Sequence, residues 1–175
     1  MLHPARDVVV RYQVTGAHGP GDSAQVTIHY ASQGRRMRIE PAGRPSYMIV
    51  DGVADRMEMV MPSQHVYVEM PYDPQMLMNF KDKDATFTPQ GTKTIAGLGC
   101  TVYKVDSREH PGQICVTSDG VILRARGQDA SHHGSLQAVS VGYSPQPASL
   151  FAPPPGFHKL EPAHPPQAGG DGQKH

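Results

Sequence analysis

Apolar and polar residues alternate along most of this chain. In VVVRYQVT (8–15), Val8, Val10, Tyr12 and Val14 point one way and Val9, Arg11, Gln13 and Thr15 the other. VTIHY (26–30) sets Val26, Ile28 and Tyr30 against Thr27 and His29, and RMRIE (36–40) sets Met37 and Ile39 against Arg36, Arg38 and Glu40. A period of two predicts strands with one buried face. Charged and amide residues on the opposite face predict an antiparallel sheet that is wet on one side. HGPGD (18–22), SQGR (32–35) and PAGRP (41–45) are turn clusters between these strands, and Asp51-Gly52 and Asp119-Gly120 are turn pairs. Residues 46–51, 56–61 and 65–70 then read as a three-strand meander. Further strands are predicted at 86–95, 99–105, 112–117, 120–126 and 136–143, about eleven in all. Helix signals are few. DPQMLMNF (73–80) carries Asp73 as N-cap and Pro74 at the first helical position, and PQPASLF (145–151) predicts a second short turn.

The 175 residues argue for one domain, residues 1–160, followed by a Pro- and Gly-rich tail, 161–175, expected to be disordered. Sixteen basic residues balance sixteen acidic ones, so there is no basic surface to expect against nucleic acid. No apolar run reaches 18 residues, so no membrane-spanning helix is expected. The start, MLHPARD, lacks the charged-then-apolar pattern of an export signal. The chain is therefore expected to be cytosolic or the mature form of an exported protein.

Cys100 and Cys115 bear on that choice. They form no C-x-x-C pair for zinc or thioredoxin-like redox chemistry. A hairpin that sets Cys100 opposite Cys115, Val102 opposite Gln113 and Tyr103 opposite Gly112 leaves residues 106–109 as a four-residue connection. Opposed strand residues approach disulfide geometry, and a disulfide implies an oxidising compartment. Two reduced, buried cysteines in a cytosolic protein are the alternative.

Three segments invite a site. Met57, Met59 and Met61 share one strand face, with Met70, Met76 and Met78 nearby. Such thioethers fill a core beneath the short helix, line an adaptable apolar groove, or bind Cu(I). The adjacent His132 and His133 would point apart, and no His-x-x-x-His lies on a helix, so no metal site is expected. Asp82 and Asp84 have calcium-loop spacing without the glycine and distal glutamate such a loop requires. Neither a G-x-S-x-G elbow nor a phosphate-binding glycine loop is present.

Taken in order, RMRIE (36–40), YMIVDGVADRMEMVMP (47–62), HVYVEMP (65–71), TIAGLGCTVYKV (94–105), CVTSDGVILR (115–124) and SPQPASLFAPPPGF (144–157) resemble the LolA-like superfamily of exported bacterial proteins, and among them the uncharacterised members with a cysteine pair. The resemblance implies a mainly β fold: a strongly curved antiparallel sheet, an incomplete barrel, with one or two short helices on its concave side. It implies no catalytic residue and no cofactor. In carriers of that shape an apolar concavity holds acyl chains. The expectation is thus an exported, periplasmic, non-enzymatic protein that binds an apolar or lipid-like molecule. Its expected lining is Met57, Met59, Met61 and Val66 with Val68, Met70, Leu77 and Phe80. A structural or protein-interaction module of the cell envelope with a self-filled cavity is the alternative, and periplasmic copper binding by the methionines a third.

Overall fold

The computed structural model describes residues 3–16, 21–32, 35–72, 84–108, 111–127 and 134–161. The helix candidate at 73–80, with Met76, Leu77, Met78 and Phe80, lies outside them, as do Asp82, the His132-His133 pair and the tail from 162 onward.

The alternating segments become strands: β1 (Val8–Thr15), β2 (Ser23–Ala31), β3 (Arg36–Pro41), β4 (Tyr47–Asp51), β5 (Arg56–Met61) and β6 (Val66–Met70). A second series follows: β7 (Thr86–Ile95), β8 (Leu98–Asp106), β9 (Gly112–Val116), β10 (Ile122–Gly127), β11 (Ser135–Gly142) and the short β12 (His158–Leu160). All twelve lie in one open sheet of order β12-β6-β5-β4-β3-β2-β1-β11-β10-β9-β8-β7. Two meanders are thus joined where β1 pairs with β11, and among the described residues every pairing is antiparallel except β12 on β6. The expected half-barrel is present with one strand more than the alternation predicted. That strand has three residues, too few for periodicity to register.

The inward side follows from register. Val8, Tyr30, Met37, Val50, Met57 and Met70 form one row across β1 to β6. All but Met70 are buried, and the same cluster takes in Cys100, Val102 and Cys115 of the other meander. Curvature is visible in the Tyr12 hydroxyl, which donates to the Ile122 carbonyl at 2.7 Å although β1 and β10 are separated by β11. Gly120 closes this region. Its φ is +88°, and a Cβ there would meet the His3 carbonyl oxygen at 2.2 Å, so only glycine fits.

The outer side is not uniformly wet, contrary to the sequence expectation. Tyr47, Ile49 and Val60 are buried there with Phe151 against them. Phe151 ends the second helix candidate, now a single 3-10 turn over Ala148–Phe151. This turn packs on the outer face, because the chain leaving β11 crosses β3 and β4 as a strap. On the other meander Val105, Ile114, Val116 and Ile122 form a third cluster. The alternation held, but several of its supposedly solvent-facing positions on β4 and β5, Tyr47, Ile49 and Val60, are themselves apolar, and these are the ones the strap covers.

The predicted disulfide joins Cys100 and Cys115, with Cα atoms 5.4 Å apart. The expected register was two residues out: Val102, not Cys100, faces Cys115, and Tyr103 faces Ile114. The bond therefore runs diagonally across the β8–β9 pair. A shift of two leaves every side chain on its face, so the alternation could not distinguish the two registers. Both cysteines are buried in the inner cluster. Replacing both by alanine is expected to lower stability by about 3 kcal/mol, the cost of freeing a loop of this length in the unfolded chain. Urea titration of the variant against the oxidised protein measures it.

Candidate functional site

A second inward row runs beside the buried one: Val10, Ile28, Ile39, Met48, Met59 and Val68, continued by Leu160 on β12. Its burial declines toward the sheet edge. Val10 is 3% exposed, the middle members are half-buried, and Leu160 is 43% exposed. Met61 pairs with Val66 one step along, both half-buried. Six of the eight residues expected to line a site thus share one face in three cross-strand pairs: Met57 with Met70, Met59 with Val68, and Met61 with Val66. Met57 is core, at 3% exposure, and the other five are half-buried. Ile28, Ile39 and Met48 belong to the same strip. Their alternation was legible, but only register shows that they continue the row. Leu160 carried no periodic signal.

Among the described residues, Tyr12, Tyr30, Met37 and Val121 line a small, partly open pocket of about 40 Å³, apolar in lining. That is near the share of one water, against roughly 300 Å³ or more for a small-molecule site. Burial pushes the Tyr12 hydroxyl far up and the Tyr30 hydroxyl up to about 12, the latter partly offset by Arg35. Both phenols stay neutral and serve as packing.

Two wider, polar grooves lie elsewhere. One, of 540 Å³, is lined by His3, Thr92, Thr101, Tyr103, Thr117 and Asp119. The other, of 600 Å³, is lined by Arg6, Asp7, Ser32, Arg36 and Gln146 among others. Their carboxylates are engaged in holding the chain together. Asp119 accepts from the Thr117 hydroxyl at 2.5 Å, Arg6 Nε at 3.1 Å and the Tyr143 hydroxyl at 3.2 Å. Burial alone would raise its pKa, but these donors outweigh burial and hold it below the usual carboxylate range. Asp7 accepts from the backbone N–H groups of Ser32 at 3.2 Å and Gln146 at 2.8 Å. Among the described residues no three His, Cys, Asp or Glu side chains gather closely enough to hold a metal ion. Among them, too, no helix is long and apolar enough to cross a membrane.

The Met-bearing strands are set by the β4–β5 turn. Asp51 accepts the N–H groups of Val53 and Ala54, each at 3.0 Å, and Arg36 Nε at 3.1 Å. This makes Asp51 the residue that fixes the turn preceding Met57. Burial raises its pKa, yet the two backbone donors and Arg36 prevail and lower it.

Several solved structures are similar in fold to this chain. An uncharacterized conserved protein from Thermus thermophilus superposes with a TM-score of 0.64 at 10% identity, over 89% of this chain and 90% of that one. MucB superposes with a TM-score of 0.59 at 12% identity, over 89% of this chain and 60% of MucB. In the MucA/MucB complex of Pseudomonas aeruginosa the TM-score is 0.55 at 15% identity, over 83% of this chain and 55% of that one. This chain therefore spans a little more than half of MucB. These likenesses show a shared fold. The chain belongs to the family described as a domain of unknown function (DUF4412), whose profile matches residues 18–125. No functionally curated protein matches it.

Because the Asp51 carboxyl binds its proton more weakly in the folded chain than at about 3.9 in the unfolded one, its contribution is complete above that value and is lost as pH falls through the folded pKa. The urea midpoint is expected to fall from pH 6 to pH 3, and to fall less in Asp51→Asn than in the native protein.

Proposed function

We propose that this protein is an exported, non-enzymatic binding module of the cell envelope that engages an apolar portion of a protein partner through the strip Met48, Met59, Met61, Val66 and Val68. The observation that carries this reading is a contiguous apolar strip left half-buried across β4 to β6, beside a pocket among the described residues that has only about 40 Å³ free. Contiguous apolar surface is uncommon on soluble proteins unless it meets something, and methionine side chains repack around differing partners. The disulfide supports export, since such bonds persist outside the reducing cytosol. MucB, of the same fold, has been crystallised with MucA(peri), which supports a protein as the kind of partner.

A second reading, carriage of an acyl chain, keeps one observation in its favour: the strip is continuous across β2 to β6. Each fully buried CH₂ would contribute about 0.8 kcal/mol, but a half-open strip realises only part of that.

Native mass spectrometry of freshly purified protein separates the two readings. A single apo mass is expected, and a co-purifying lipid mass would replace this proposal with the carrier. Met59→Glu combined with Val68→Glu is expected to abolish 8-anilinonaphthalene-1-sulfonate binding to the strip while moving the urea midpoint little. Unchanged dye fluorescence would show that the strip is not an accessible apolar surface.

A further inference from the structure

The edge of the sheet next to the strip is occupied by the chain's own β12, and the manner of that occupation is unusual. β12 pairs parallel with β6 over three residues only: His158 on Val66, Lys159 on Tyr67 and Leu160 on Val68. All three β12 residues are exposed. The contact is held by the His158 N–H donating to the His65 carbonyl at 3.0 Å, by an edge-on packing of Phe157 on His65 at 5.3 Å, and by Lys159 Nζ at 2.8 Å from Glu69 Oε2. Upstream, Phe151 is firmly buried, so the strap stays tethered even when its last residues leave.

Charge contributes to the docking of β12 and works against its extension. Glu58 and Glu69 face each other across β5 and β6. Arg56 lies 3.4 Å from Glu58, and Lys159 answers Glu69. Burial raises the Glu58 pKa, with Arg56 opposing, and Glu69 adds to the rise. Glu161 follows Leu160, and continued pairing would bring it beside Glu69. β12 ends at Leu160 and leaves Glu69 and Met70 beyond its pairing: like charges opposed across a sheet are destabilising, and Pro162, which follows Glu161, lacks the N–H that the next ladder bond would need.

We propose that β12 is a detachable guard over the β6 edge, and that this edge receives by parallel strand addition an extended segment of an envelope protein with the pattern aromatic, any residue, basic, apolar, basic. The pattern is written by the guard itself. The aromatic residue meets His65, the first basic residue meets Glu69, and the apolar residue extends the row Met48–Met59–Val68. The second basic residue takes the place of Glu161 and sets an opposite charge, not a like one, across from Glu69. Main-chain hydrogen bonds give such additions their affinity and the alternate side chains their specificity. A tethered guard competes at high effective concentration and so keeps the edge closed to weaker segments.

This inference deepens the reading of the strip as a protein-binding surface and rests on it. The probe is a fluorescein-labelled peptide of residues 154–161 carrying Glu161→Lys, titrated by anisotropy against the full chain. The Lys159→Glu chain, whose guard now repels Glu69, is expected to bind the probe at least about tenfold more tightly than the native chain. A probe that also carries Lys159→Glu is expected to lose that binding. Full-chain Leu160→Ser, which weakens the guard without touching its charge, should also bind the probe more tightly than native, so the test does not depend on one variant folding. Equal binding to native and guard-weakened chains, or none to either variant, would overturn the guard. That result would leave the strip reading standing if the Met59→Glu, Val68→Glu chain still loses its dye binding.

Discussion

A single sheet has two faces, and among the described residues this chain offers no α-helical layer to cover either. That constraint organises the molecule. The inner face is buried by bending the sheet on itself, so that residues of β1 to β5 join the same cluster as Cys100 and Cys115 from the second meander. The outer face of β4 and β5 is buried by the returning strap, which brings Phe151 onto Tyr47, Ile49 and Val60. Neither device alone is sufficient. Bending leaves Ile49 and Val60 outside, and a strap can cover only the few strands it crosses.

A bent, open sheet gains no hydrogen bonds from closure, and its curvature is held instead by cross-ties. The Tyr12 hydroxyl spans from β1 to β10. Asp119 gathers Thr117, Arg6 and Tyr143, while the Arg6 guanidinium lies 3.7 Å over the Tyr143 ring. Asp7 ties the end of β2 to the strap at Gln146, and Arg38 stacks on Tyr47 at 3.7 Å while donating to the Leu150 carbonyl. These contacts place the two chain ends of the described structure against the same sheet. They also occupy the carboxylates that would otherwise look like candidate chemistry in the polar grooves. At the free edge opposite β12, β7 carries Pro89 and a register irregularity before Gly91, features that discourage unwanted strand pairing.

Most strands were legible because one physical signal, period-two alternation, acts locally and survives without tertiary information. The inward identity of Met37, Ile39, Met57, Met59 and Met61 came directly from it. What was not legible shares a cause. The β8–β9 register, displaced by two residues, is invisible to a signal whose period is two. β12 forms through a parallel contact about ninety residues away in sequence and has no alternation to display. The outer cluster was missed because Tyr47, Ile49 and Val60 alternate with residues that are also apolar, and their cover, Phe151, arrives from far along the chain. Long-range partners, not strand propensity, were the missing information.

The position of the half-buried strip bears on its use. If alternation alone set these positions, β-branched residues would be favoured, because they fit a pleated surface best. The buried row follows this expectation in part, with Val8 and Val50 fully enclosed. Where the parallel row turns half-open, it holds Met48 and Met59, with Met61 and Met70 beside it. Methionine adapts well to irregular contacts, and it stands both in the buried row, as Met37 and Met57, and in the half-open one, as Met48 and Met59. Burial of the second row declines toward β6 and its guarded edge. The adaptable apolar surface and the parallel, three-residue pairing therefore lie side by side, at the place where the sheet is least committed to itself.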